Sequence, residues 1–135
     1  MIYIDTGAFL ARYLSGDQYH HEAVSLWHEI KTVRESCLTS NLVLDETFTL
    51  RGRRAGYDFA AARAEKIYAS KLITILRPTR KEEIKAIELL KKYADQAVSF
   101  TDCISFVLMK NKRIRRVFSF DRYFEYAGFK RYPEK

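Results

Sequence analysis

Four carboxylates of this chain stand where an acid either costs free energy or does something in return. Asp5 closes the apolar run Met1 to Ile4, and Asp121 closes the run Val117-Phe-Ser-Phe120. Glu46 interrupts the stripe of the segment SNLVLDETFTLRGR, sharing a helical face with Leu42, Val43 and Leu50 by three- and four-residue spacing. Asp102 opens the apolar segment SFTDCISFVLMK. Singly, each has an ordinary use. Asp5 suits a turn, Asp121 suits the N-cap of RYFEYA, Glu46 suits a partner for Arg53 or Arg54, and Ser99-x-x-Asp102 is a capping box. Jointly they suggest a cluster. Carboxylates gathered within a few ångströms repel, and such a group persists around divalent cations. Oxygen ligands without His or Cys point to Mg²⁺ or Mn²⁺ in preference to zinc. The neighbouring Asp45 reads as a solvated acid on another face.

The rest of the composition points the same way. A formal charge of +7 favours a polyanionic partner. Acids that hold hard cations inside a basic protein suggest phosphodiester chemistry, with the cations at the phosphate and a basic rim along the strand. At 135 residues, 47% hydrophobic and 30% charged, the chain reads as one globular domain, 1–135, able to bury a core. No apolar run is long enough for a membrane span, and no secretory signal is visible at the N-terminus. Cys37 and Cys103 sit in apolar surroundings without metal spacing, as buried reduced thiols of a cytoplasmic protein would.

The elements that must position the acids follow from periodicity. Strands are expected over 2–5, Cys37-Leu-Thr, Leu72 to Leu76, Val117 to Phe120 and Phe129 to Tyr132. Helices are expected over Thr6 to Leu14, 19–34, from a Ser40 cap to about Arg53, over 57–70, from the box Thr79-Arg-Lys-Glu82 to about Tyr93, and from Ser99 to about Lys112. Gly52 and Gly56 read as punctuation between two helices. Short strands alternating with helices predict an α/β fold: a three-layer α/β/α arrangement with a short central parallel sheet flanked by helices. Ligand sites of such sheets lie beyond the carboxyl ends of the strands, where Asp5 and Asp121 fall.

The series IDTGAF, SNLVLDETFTL, SFTDCISFVLM and VFSFDRYF resembles the PIN-domain family, in particular its VapC-type toxins, over essentially the whole chain. The resemblance implies a metal-dependent endoribonuclease with Asp5, Glu46, Asp102 and Asp121 as metal-binding catalytic acids. By position it also implies a supporting role for Thr6, after the first acid, and for Asp95, upstream of the third. It implies a homodimer held inactive by a small cognate antitoxin. Asp5 and Asp102 are expected to hold one ion at the scissile phosphate, with Glu46 and Asp121 orienting waters or holding a second.

Basic candidates for the RNA backbone are Arg51, Arg53 and Arg54, just past Glu46, and the run Lys112, Arg113, Arg115 and Arg116. Tyr13, Tyr57 and Tyr123 are stacking candidates, with packing as the plainer use. His20, His21 and His28 show no ligand spacing. Rival readings are excluded by motif or left to experiment. An aspartyl phosphatase wants Asp where Gly7 stands, and no Gly-rich nucleotide fingerprint occurs. An RNA-processing PIN nuclease and a non-catalytic PIN binding module remain as alternatives to a toxin.

Overall fold

The structure, a computed structural model, describes residues 1–134. Five short strands run through the middle: β1 (Ile2–Ile4), β2 (Cys37–Ser40), β3 (Ile73–Leu76), β4 (Arg116–Phe118) and β5 (Lys130–Tyr132). All pairings are parallel, in the order β3-β2-β1-β4-β5. The chain walks outward from β1 to β3 and returns to start again beside β1. The strand order therefore reverses between β1 and β4, which opens a crevice at their carboxyl ends.

Helices α1 (Thr6–Tyr13), α2 (His20–Val33), α3 (Asn41–Ala55) and α4 (Tyr57–Ala69) fill the outward walk, and α5 (Arg80–Lys92) and α6 (Phe100–Asn111) fill the return. Right-handed crossovers put these two sets on opposite faces of the sheet. Accordingly α1 packs on α2 and α3, α3 on α4, and α5 on α6. A short α7 (Tyr123–Tyr126) precedes β5. The result is the expected three-layer α/β/α arrangement.

β1 is buried at every position because both faces are covered. α6 is buried without interruption from Cys103 to Met109, apolar but for Ser105 because it lies between the sheet and α5. Trp27 fastens α2 to the first layer. Its ring lies 5.6 Å from Phe9 and 5.2 Å from Phe118, and Nε1 donates to the Ala8 carbonyl at 3.1 Å. Cys37 and Cys103 are free and buried.

Local structure departs from expectation, or adds to it, at several points. Gly52 does not break a helix: it lies inside α3, where a Cβ would meet the Tyr57 ring at 2.3 Å. Glycine is there so that the start of α4 can fold back closely. The break falls at Gly56 alone, at φ +99°. β4 ends at Phe118, two residues short of expectation, and Ser119 and Phe120 form the loop that carries Asp121. Last, Ala94–Gln96 is a 3-10 turn followed by left-handed Ala97, a device that reverses the chain before α6.

Candidate active site

β1 and β4 part at Asp5. Its backbone N–H donates to the Phe118 carbonyl at 3.0 Å, the last bond tying the two strands together. Asp5 is also the N-cap of α1, yet its side chain makes no cap hydrogen bond. It accepts instead from the Ser119 hydroxyl, at 2.8 Å to Oδ2. Ser119 Oγ in turn accepts from the Asp121 N–H at 3.0 Å. One hydroxyl thus joins the acids that follow β1 and β4. Asp121 is fixed further by the Tyr123 N–H, 2.9 Å from Oδ1, the local turn that Asp side chains favour.

Asp102 enters from the other layer. The Ser99 hydroxyl accepts from the Asp102 N–H at 3.1 Å, and Asp102 Oδ2 accepts from the Ser99 N–H at 3.3 Å, so the capping box is complete. Glu46 comes from α3, half-buried, on a stripe with Leu50 and Arg54. All four acids line one cleft of about 380 Å³, with Thr6, Asp17, Gln18, Tyr19 and Phe120 also in its wall. Tyr19 and Phe120 stack there at 4.4 Å between ring centroids.

The electrostatics are those of crowded carboxylates. Burial, and then the Asp102 charge, push Asp5 up to about 8, against the pull of the Ser119 hydroxyl and the Thr6 N–H. Burial, Asp121 and Glu46 push Asp102 up to about 6, although its bonds to Ser99 act in the opposite direction. Below them Tyr3, fully buried with its hydroxyl 2.9 Å from Ser105 Oγ, is raised by burial and feels both acids. Near neutral pH these groups cannot all be ionised without a positive partner. Among the described residues, no three His, Cys, Asp or Glu groups are drawn tightly enough to grip an ion as they stand. The acids surround the cleft and do not close on one point. The donor set nevertheless fits a hard divalent cation: carboxylates and a hydroxyl only. The buried Thr6 Oγ1 has no protein hydrogen-bond partner, which adds an oxygen for an ion or its water.

Not every expected residue reaches the cleft. Asp95 stands exposed in the 3-10 turn and is not in the cleft wall, because the turn reverses the chain three residues before Ser99. Arg51 is buried, its guanidinium 5.7 Å from the Phe59 ring centroid, so it is no surface contact. Arg53 is exposed, and Arg54 alone of the three arginines lines the cleft. Lys112 and Arg113 lie past the far end of α6, about 15 Å of helix from Asp102. Arg116 is occupied by Glu35 and by the Tyr132 ring, 4.9 Å away. Tyr13 and Tyr123 are half-buried packing residues, and Tyr57 covers Gly52. Asp45 is exposed, outside the cleft wall. His20 Nδ1 bonds the Ala11 carbonyl at 2.7 Å.

Three residues, two in the cleft wall and one that ties its acids together, carried no sequence signal strong enough to find them. Asp17 and Tyr19 follow α1 in a loop folded over the cleft by the Asp17 Oδ1 bond to the Tyr19 N–H at 2.8 Å. Ser119 was legible only as a strand residue. Its place two residues before an acid was the available clue.

Residues 2–130 match the model of the PIN domain. The chain belongs to the PIN-domain family. This is a family of nucleases, and this PIN domain resembles an endoribonuclease toxin along its length. It is 37% identical over 129 residues to the 23S rRNA-specific endonuclease VapC20 of two Mycobacterium tuberculosis strains, covering 96% of this chain and 95% of that protein. The crystal structure of Mycobacterium tuberculosis VapC20, described as a sarcin-ricin loop cleaving toxin, superposes with a TM-score of 0.86 at 35% identity, over 96% of each chain. Among the described residues, no helix is long and apolar enough to cross a membrane.

Proposed function

We propose that this PIN domain cuts RNA phosphodiester bonds at the acid cleft, using Asp5, Glu46, Asp102 and Asp121 together with Mg²⁺ or Mn²⁺. The observation that carries this reading is that Asp5, Glu46, Asp102 and Asp121, from four different segments, line one cleft. Burial and mutual repulsion disfavour the charged forms of Asp5 and Asp102, raised to about 8 and about 6, and a cation would reverse that by favouring both carboxylates. When bound, the cation would neutralise phosphate oxygens and supply an acidified water. The chain's own residues prepare the ground. Asp5 Oδ2, Asp102 Oδ2 and Asp121 Oδ1 are each tied to the fold by a hydrogen bond, so their rotamers are set before substrate arrives. Thr6 adds a hydroxyl and Arg54 a cation at the rim, where a phosphate of the strand can sit.

By its relatives the chain is a toxin, and 23S rRNA is the first substrate to test. A small antitoxin that covers the cleft and a homodimer belong to the same proposal. Ile84, Ile87 and Leu90, exposed at 48%, 44% and 37% on α5, support association, since such a stripe gains from being covered. Growth arrest on expression, relieved by the small protein encoded next to it, would support the toxin. A monomer that arrests nothing would favour the RNA-processing alternative.

The direct test is cleavage of RNA by the purified protein. Activity should appear with Mg²⁺ or Mn²⁺, vanish in chelator, and be absent in folded Asp5→Asn. Full activity of Asp5→Asn would overturn the site.

A further inference from the structure

At the opposite end of α1 from Asp5 lies a second built feature, of the opposite charge. The last turn of α1 carries Arg12 and Tyr13, α2 carries Trp27 and Lys31, and α4 carries Arg63 and Lys66. They wall a cavity of about 190 Å³ whose floor reaches Cys37 and Ile73, the first residues of β2 and β3. Four cations face this cavity, and no carboxylate lines it. None of the four is in an ion pair among the described residues.

The arrangement is held in place by rings. The Arg12 guanidinium carbon lies 4.8 Å from the Trp27 ring centroid and 5.6 Å from that of Tyr13, and the Arg63 carbon lies 4.9 Å from that of Tyr13. Cation–ring contacts position guanidinium groups without using up their N–H donors. The crowding is electrostatically real. The Arg12 charge, then burial, Lys66 and Arg63, lower the Lys31 ammonium. Behind Tyr13 a fifth cation, Arg51, is only 7% exposed and leaves its buried Nε without a partner. It is near enough to act on the Tyr13 hydroxyl together with Arg12 and Arg63. Gathering like charges with no counter-ion costs free energy, and the cost is returned when an anion binds.

Position names the anion. Thr6 in the acid cleft and Tyr13 at this cavity are seven residues apart on one helix, about 10 Å. Arg54 in the cleft and the buried Arg51 behind Tyr13 lie on one turn of α3, so positive charge, though not a surface contact at Arg51, spans the interval between the two sites. We propose that the Arg12–Lys31–Arg63–Lys66 cavity is a second phosphate-binding site for the RNA backbone, remote from the acids, that anchors the substrate while another phosphate occupies the cleft. The proposal rests on the nuclease reading of the cleft. An acidic peptide would satisfy the same charges. RNA is favoured because the cavity and the cleft share α1, and a polynucleotide is bound to present phosphates at both.

The test is binding of a fluorescent RNA hairpin to the full chain in chelator, by anisotropy over a salt series. Arg63→Gln with Lys66→Gln is the first variant. Lys31→Gln with Lys66→Gln, both at exposed side chains, is the second in case the half-buried Arg63 matters for folding. Each pair should weaken binding about tenfold near physiological salt and reduce the slope of log affinity against log salt by about 1.5. In cleavage assays with Mg²⁺, KM should rise by more than kcat falls. Unchanged affinity and slope in both variants would overturn the proposal. So would loss of poly-glutamate binding, or of pyrophosphate binding, with RNA binding intact, which would assign the cavity to an acidic segment or a free phosphate compound. If the parent binds RNA and the variants show the expected slope change, yet the parent cuts none with Mg²⁺ or Mn²⁺, the nuclease reading fails and the cavity stands. If the parent binds no RNA at low salt, both fail.

Discussion

Thr79–Glu82 at the start of α5 and Ser99–Asp102 at the start of α6 are the same device, a capping box with both hydrogen bonds made. The bond lengths are close: 3.2 and 3.0 Å in the first, 3.1 and 3.3 Å in the second. Their acids nevertheless titrate in opposite directions. Bonds from the Thr79 N–H and Asn111 lower Glu82, whereas burial and the charge of Asp121 raise Asp102 to about 6 despite the bonds to Ser99. Local hydrogen bonding fixes where the carboxylate points; what it faces decides its chemistry. α5 starts beyond edge strand β3 and turns its box to solvent, while α6 starts at the crevice beside β1 and turns its box to three other acids.

The largest effect that separates the boxes is on turnover. Asp102→Asn should lower RNA cleavage by about 10²–10⁴-fold, the range for losing a group that acts on the reacting centre. Glu82→Gln should cut RNA as the parent does. Comparable losses in the two variants would mean that helix capping, not the cleft, sets activity.

Metal comes next in size. If the cation binds the folded cleft only, the parent should gain about 2.7 kcal/mol at a hundredfold excess over the dissociation constant. Glu82→Gln should gain as much, and Asp102→Asn far less. Thermal melts of the three proteins with Mg²⁺, Mn²⁺ or chelator measure this directly. A melting point indifferent to both metals in the parent would remove the cation from the site.

Both boxes were legible in the sequence, because a capping box is four consecutive residues. The distinction between them was not, since it depends on what the fold brings opposite. Asp5 and Asp121 could be placed by strand ends, and the parallel sheet by alternation. The four acids expected from the resemblance do line one cleft. Reasoning failed where contacts cross the chain. Ser119 reaches Asp5 across 114 residues of sequence and joins it to Asp121. Arg12, Lys31 and Arg63 belong to three helices and carry no shared motif. Arg51 read as an RNA contact because it falls with Arg53 and Arg54 just past Glu46, yet its turn of α3 faces Tyr13 and Phe59. Gly52 read as a helix breaker because only the packed Tyr57 explains it.

Acid–base linkage gives a smaller contrast, with opposite signs. In the unfolded chain an Asp titrates near 3.8; folded, Asp5 and Asp102 hold their protons to about 8 and about 6. Between those limits the folded state binds more protons than the unfolded one, so stability in chelator should fall as pH rises from about 4 to 8. The slope cannot exceed about 1.4 kcal/mol per pH unit for each proton. Glu82, lowered in the folded state, works the other way. Its contribution is present above the unfolded value of 4.5 and is lost as pH falls through the folded one. Urea unfolding at a series of pH values, in chelator, should show the decline in the parent and a flatter profile in Asp5→Asn. Stability that rises from pH 5 to 8 in the parent would contradict the raised pair.

The smallest effect is the most discriminating, because the two boxes differ in sign. Replacing Glu82 by Gln leaves a side chain able to accept the Thr79 N–H but removes the charge that favours a helix start, and it weakens the bond from Asn111. It should cost a few tenths to about 1 kcal/mol at pH 8 in chelator. Asp102→Asn loses the same helix-start charge. It also removes a carboxylate that repels Asp5 and Asp121 and that burial disfavours. At pH 8 the relief should equal or exceed the loss of the cap, so this variant should be as stable as the parent or more so. At pH 4, where Asp102 is already protonated, the advantage should vanish and only the weakened cap should remain. Chelator melts of both variants at the two pH values give four numbers. A loss at pH 8 in Asp102→Asn as large as that in Glu82→Gln would make Asp102 an ordinary cap, and the cleft's acids would no longer be a strained set.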